Sequence, residues 1–139
     1  MARIFKYSHR VTYADCTAGN HVYYARYLDF LESARGEFFR EIGFPFLQLQ
    51  EQGTIFPVVE CRLRYRRPAR YDDVVTVEIW PAVAERVRLN FGYSITLDAD
   101  EILLAETCHV CTDLDGKLQR LPPDLAAKLQ PLLRPPIAT

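Results

Sequence analysis

The hydrophobic period of this chain changes once and then changes back. Between residues 21 and 42, Tyr24, Tyr27, Leu28, Leu31, Ala34, Phe38 and Ile42 recur at three- and four-residue spacing. That stripe predicts one helix of about twenty residues with a wide apolar face, closed by Gly43 at the C-terminal cap position. On both sides of it the period is two, the signature of strands. A chain with one long amphipathic helix has nothing but its strands to bury that helix against. An antiparallel sheet wrapped around the helix buries the stripe and the strand faces together.

The strands read as follows. Residues 4–13 alternate and form the first. In the run 55–66, Val59, Cys61, Leu63 and Tyr65 fall on one face, and Glu60, Arg62, Arg64 and Arg66 on the other. Residues 74–80 form a third strand ended by Pro81, residues 87–97 a fourth and residues 102–112 a fifth, joined to the fourth by a turn at 98–101. Short connections imply antiparallel pairing. A helical turn follows Pro45, and a short helix is expected near 124–130. The tail 131–139 holds three prolines and is expected to be loose. The expectation is an α+β chain in one domain spanning 1–139, with a sheet of five to six strands around one helix.

Composition narrows the function classes. The 139 residues carry a formal net charge of −1, which gives no reason to expect nucleic acid as a partner. No apolar run is long enough for a transmembrane helix, and the N-terminus lacks a signal-peptide core. A cytoplasmic chain with no membrane partner is expected. Cys16, Cys61, Cys108 and Cys111 then read as free thiols. The C-x-x-C spacing of Cys108 and Cys111 lies in a strand with no second cysteine pair, so it reads as strand packing, with no metal. All but three of the 17 basic residues are arginine, the side chain suited to forked contacts with phosphate or carboxylate.

Three segments carry a resemblance: RVTYADCTAGNHVYYARYLDFLESAR at 10–35, RYRRPARYDDVVTVEIW at 64–80 and HVCTDLDGKLQRLP at 109–122. The first resembles the D-x-D-x-x-G-x-V-x-x-x-x-Y loop, and the second the Y-x-x-P-A-R-x-D-D segment, of the hotdog-fold 4-hydroxybenzoyl-CoA thioesterase/YbgC-like family. The resemblance covers about residues 5–123. It implies hydrolysis of an acyl-CoA or acyl-carrier-protein thioester, with coenzyme A as part of the substrate and no separate cofactor. It also implies a homodimer or dimer of dimers whose acyl pocket lies between subunits. The backbone N–H at Tyr24 is implied as the oxyanion donor. One departure falls on the chemistry. In the family the second aspartate of D-x-D is nucleophile or base, and here that position is Thr17.

The candidate catalytic residues are therefore Asp15, Thr17, His21 and Glu60. Asp15 is the nearest carboxylate, although a structural turn or cap carboxylate bonding the Thr17 or Gly19 N–H is the plainer reading. Thr17 can hold a water or serve as a nucleophile beside a base. His21 suits general base work near neutral pH. Glu60 sits among strand arginines, where an ion pair competes with catalysis, and alternation puts it on the face away from the core. Glu32 is expected to pair with Arg35. Tyr23, Tyr24 and Tyr27 are candidate walls of the substrate pocket, and Arg67 and Arg70 candidate phosphate contacts. Two further readings remain open: an acyl-CoA-binding module without catalysis, and a hydratase or dehydratase built on His21.

Overall fold

A computed structural model describes residues 4–138. Five strands form one antiparallel sheet in the order β1-β3-β4-β5-β2. They are β1 (Phe5–Arg10), β2 (Val58–Tyr65), β3 (Val74–Glu85), β4 (Arg88–Leu97) and β5 (Asp100–Val110). The long helix α1 spans Arg26–Glu41. Two short helices follow, α2 (Phe46–Glu51) and α3 (Pro123–Leu129). The α+β expectation of one long helix against an antiparallel sheet holds. α1 lies over β1 and β3, burying Tyr27, Leu31, Ala34, Phe38 and Phe39 against Val77, Ile79, Phe91 and Tyr93. Leu28 departs from the predicted stripe. It is 38% exposed, on the side of α1 that faces the uncovered strand β2.

α1 begins five residues later than the period suggests. Residues 21–25 cannot join it, because their backbone is committed elsewhere. Val22 pairs in an antiparallel bridge with Cys16, and its N–H donates to the Ala69 carbonyl at 2.9 Å. The Tyr23 N–H donates to the Asp15 carbonyl at 2.9 Å. The apolar residues 22–24 thus continue the helical period without the helix, since tertiary hydrogen bonds override local pattern.

β3 runs on through Pro81, where a strand end was expected. Among the described residues β1 pairs with β3 only as far as Phe5↔Ile79, so Pro81 lies beyond that described pairing. A proline there removes no ladder bond from it. A register shift between Pro81 and Val83 absorbs the distortion. The expectation of a loose tail is corrected over residues 131–138. The Arg134 N–H donates to the Pro81 carbonyl at 3.0 Å. Trp80 Nε1–H donates to the Pro135 carbonyl at 3.0 Å, with the Arg134 guanidinium over its ring. Arg64 reaches the Ala138 carbonyl at 3.2 Å. Strand order carries the tail from β3 to β2, across the sheet face opposite α1. Gly92 makes room for this, because a Cβ there would lie 2.6 Å from the Trp80 ring.

β2 closes one edge of the sheet. Among the described residues it pairs with β5 alone, and it is exposed along almost its whole length. The four cysteines are free. Cys108 lies beside Glu106, whereas the Cys111 thiol turns to the Arg120 carbonyl, so the C-x-x-C pair diverges. Among the described residues no group of His, Cys, Asp and Glu is placed to hold a metal ion, and no helix is long and apolar enough to cross a membrane.

Candidate active site

The segment between β1 and α1 folds around one carboxylate. Asp15 is buried. Its Oδ2 accepts the Thr12 N–H at 2.9 Å and lies 2.8 Å from His9 Nε2, while Arg26 Nε stands 3.5 Å from Oδ1. Burial alone would raise the Asp15 carboxyl. The hydrogen bonds from Thr12 and His9 outweigh it and hold the group below its ordinary value. Asp15 is therefore an ionised pin whose oxygens are already engaged. The structure does not bring it to the pocket; it holds the turn through the upstream Thr12 N–H, while the Thr17 and Gly19 N–H groups bond the His21 carbonyl and Thr17 Oγ1 instead.

An apolar pocket of about 470 Å³ opens beside this loop, lined by Thr17, His21, Tyr23, Tyr24, Tyr27 and Arg67 together with Val22, Tyr65, Arg66 and Pro68. Six of the nine candidate residues meet in this one cavity. Tyr27 is buried and its hydroxyl accepts the Ala69 N–H at 3.0 Å. Burial raises its phenol, so it remains a neutral wall. The Tyr65 phenol donates to the Tyr24 carbonyl at 2.8 Å, and its ring packs edge-on against Tyr24 and Tyr27. Tyr65 was placed on the core face of its strand by alternation, but only the fold shows that the end of β2 meets the start of α1. A second, more polar groove of about 590 Å³ lies on the other side of Thr17 and Tyr23, against Arg26 and Asp29. Thr17 stands where the two meet.

Around Gly19 the loop brings two reactive groups together. A Cβ built on Gly19 would lie 3.0 Å from His21 Nε2 and 3.8 Å from Thr17 Oγ1, so both flank the same small face. A side chain at residue 19 would crowd the His21 ring. Thr17 Oγ1 accepts the Gly19 N–H at 3.3 Å, which leaves its own proton free to give. His21 Nδ1 lies 3.5 Å from the Val22 carbonyl. A carbonyl can only accept, so this long contact favours the tautomer with the proton on Nδ1 and a free lone pair on Nε2. The backbone N–H groups at the end of the loop are not equivalent. Of the N–H groups at residues 22–24, those of Val22 and Tyr23 are spent on Ala69 and Asp15. Among the described residues the Tyr24 N–H has no backbone partner, and it can polarise a carbonyl oxygen.

Glu60 lies elsewhere. It pairs with Cys108 across β2 and β5 on the sheet face away from α1, beside Arg62. A register shift between Val58 and Glu60 distorts the strand there, yet Glu60 stays on the face of Arg62 and away from the pocket. Arg70 braces the loop through the Asn20 carbonyl at 3.3 Å and does not line the pocket. Arg67 and Arg66 stand at the pocket mouth in exposed pairs with Asp100 and Glu101, at 3.0 and 3.2 Å. Such pairs are weak enough to exchange for a phosphate. The expected Glu32–Arg35 pair does not form. Arg35 turns instead to the Tyr93 hydroxyl at 3.1 Å.

Comparison with known proteins places this geometry. The model of the Thioesterase-like superfamily matches residues 11–129. The acyl-CoA thioester hydrolase YbgC of Escherichia coli is 33% identical over 130 residues, covering 91% of this chain and 96% of that protein. Among solved structures, a hypothetical protein from Aquifex aeolicus superposes with a TM-score of 0.87 at 28% identity, covering 91% of this chain and 99% of that one. A probable thioesterase from Bartonella henselae superposes with a TM-score of 0.82 at 28% identity, covering 86% of this chain and 100% of that one.

Proposed function

The chain belongs to the thioesterase-like superfamily, and from that premise we propose that it hydrolyses acyl-CoA thioesters at the pocket beside Thr17 and His21. It is a thioester hydrolase of the hotdog class, as its relative YbgC is. The observation that carries the site assignment is the convergence of Thr17 Oγ1 and His21 Nε2 on Gly19, at the mouth of an apolar pocket and close in sequence to the unspent Tyr24 N–H.

The chemistry then runs without a carboxylate at residue 17. Thr17 orients a water by donating its hydroxyl proton, and His21 Nε2 takes a proton from that water. The water oxygen bonds to the thioester carbon. The carbonyl oxygen becomes an oxyanion held by the Tyr24 N–H. Its collapse breaks the C–S bond, and the imidazolium returns its proton to the leaving sulfur. One thioester and one water give one acid and one thiol. The acyl group occupies the tyrosine-walled pocket. Coenzyme A is preferred over a carrier protein as the thiol half, because Arg66 and Arg67 at the mouth match its phosphates. No separate cofactor enters.

Incubation with a panel of acyl-CoAs is expected to release free thiol, read with a thiol-reactive dye. Thr17 in place of an acid favours one other reading, an acyl-CoA-binding module. Tight binding with no thiol release from any member of the panel would establish it. Hydration of enoyl-CoA without thiol release would instead place the chain among hydratases.

The assembly is a homodimer. Among the described residues β2 is an edge strand with its backbone open on one side, which a monomer leaves available for pairing. Beside it Tyr24, Tyr65 and Leu28 are 63%, 47% and 38% exposed. A second copy covers both the edge and these side chains, and the pocket becomes a space between subunits. Sedimentation equilibrium at micromolar concentration is expected to show twice the 16.1 kDa chain mass. A monomer would overturn the assignment.

A further inference from the structure

A line of hydrogen bonds crosses the core beneath α1, and its last member fixes its direction. The Phe56 carbonyl can only accept, so His109 Nδ1 carries the proton shared between them at 3.0 Å. Burial keeps the ring neutral, which makes Nε2 an acceptor for the Thr107 hydroxyl at 2.9 Å. The Thr107 oxygen in turn accepts the Tyr93 phenol proton at 2.7 Å. The Tyr93 oxygen accepts from Arg35 Nη1 at 3.1 Å. Tyr93, Thr107 and His109 are all buried, and every proton in the line is committed. The line begins at a cation. Arg35 is half-buried and uses one of its five N–H donors on Tyr93. Among the described residues no carboxylate is paired with it, and Glu32, one turn back, stays exposed. Buried or half-buried arginines are ordinarily paired.

The spare donors border an open strip. α1 covers β1 and β3 and meets β2 at its Tyr65 end, leaving the rest of that side of β2 open, with Cys61 exposed and Leu63 half-buried. Leu28, seven residues before Arg35 and on the same helix face, is exposed along that side. At its upper end the strip reaches Tyr65, which also walls the acyl pocket. Arg35 lies eight residues beyond Tyr27, about 12 Å along the helix. From Tyr65 to Cys61, the residue paired with Thr107, β2 advances by about 13 Å. The two estimates agree on how far Arg35 stands from the pocket.

We propose that Arg35 is a specificity-determining residue that reads an oxygen acceptor on the acyl group, a carboxylate, keto or hydroxyl oxygen about 12 Å beyond the tyrosine walls of the pocket. The occupant of the strip is the acyl chain, continuous with the pocket through Tyr65 and roofed by the second subunit. Tyr93 is its positioning residue, holding the guanidinium through a phenol that cannot itself move. The assignment rests on the acyl-CoA reading of the pocket. Its substrates are acyl-CoAs oxygenated far from the sulfur, and plain acyl chains of the same length are the weaker ones. A site built to hydrogen-bond an oxygen discriminates strongly against the analogue lacking it.

The test compares length-matched pairs: plain acyl-CoAs against their ω-carboxy and ω-hydroxy analogues. Both kcat/KM and Kd by titration calorimetry are measured, so a chain that binds without turnover still answers. Wild type is expected to favour the oxygenated member by about tenfold or more, with an optimum at one chain length. Arg35→Met should abolish the preference while leaving hydrolysis of the plain chains within about twofold. Arg35→Lys should retain part of it, and Tyr93→Phe should weaken it without moving the length optimum. No preference in wild type, or an Arg35→Met that lowers both members of each pair alike, overturns the proposal. Hydrolysis of plain and oxygenated chains at equal rates would overturn it while leaving the thioesterase reading intact. Failure to bind any acyl-CoA would overturn both.

Discussion

His21→Ala is expected to lower kcat for thioester hydrolysis by about 10²–10⁴-fold, the usual contribution of a positioned acid–base group. His21 is exposed, and its one polar contact is the long one to the Val22 carbonyl, so the substitution should leave the unfolding midpoint unchanged. KM should move little, because the imidazole acts on water and not on the acyl chain. Thr17→Ala removes only the orienting hydroxyl and should cost about tenfold, the scale of one net hydrogen bond. Glu60→Gln, on the far face of the sheet, should stay at wild type. Asp15→Asn is the informative contrast. It removes the charge that His9 and Arg26 surround, so a loss of rate there must come with a lower unfolding midpoint. Thr17→Asp restores a carboxylate where the family carries one, and should raise turnover if Tyr24 and the pocket walls are correctly placed. Full thiol release by His21→Ala would remove His21 from the mechanism and leave Thr17 as the remaining candidate in the loop.

The layout was legible because each element had a single period to obey. The α1 stripe, the alternation in β2 and β4, and the turn at 98–101 each point to one local structure. Asp98 and Ala99 adopt positive φ in that turn, which a tight hairpin link requires. What local pattern could not supply was competition between distant partners. Residues 22–24 fit the helical period but are held by Ala69 and Asp15. Pro81 reads as a strand end until the described pairing with β1 is seen to stop at Ile79. The prolines of the tail suggest a loose end, yet Trp80 and Arg64 supply its partners.

The site divides in the same way. Thr17, His21 and Tyr23 lie within seven residues of one loop, so sequence alone could propose them together. Tyr65 and Arg66 join them only because the far end of β2 returns to the start of α1. Glu32 and Arg35, three residues apart, suit an ion pair by residue type. A buried phenol opposite Arg35, on β4, decided otherwise. Asp15 and Glu60 show the limit of residue type as a guide: both are carboxylates, and the fold spends one on a loop and leaves the other on the opposite face.

Acidification should reveal the buried His109 as a loss of stability between about pH 6.5 and pH 4. Burial holds its imidazole down to about 4, against an ordinary value of 6.5; the Phe56 carbonyl opposes this, and the Arg35 charge adds to it. The unfolded chain therefore binds a proton that the folded chain refuses, and stability falls as pH drops through that window. Each pH unit costs about 1.4 kcal/mol for one proton, so the full window costs on the order of 3 kcal/mol, a large share of a typical folding free energy. Above pH 7 the contribution is flat, because both states hold a neutral ring. Asp15 acts in the same direction, but as a carboxyl held low it gives way only at more acid pH. His109→Gln keeps a donor for the Phe56 carbonyl and an acceptor for the Thr107 hydroxyl, and removes the titration. Urea unfolding at pH 7 and at pH 4.5 should separate the two chains. Wild type should lose roughly 2–3 kcal/mol more than the variant over that interval. Equal losses would mean that the ring accepts its proton inside the folded core, and that the line from Arg35 to Phe56 reverses direction without cost.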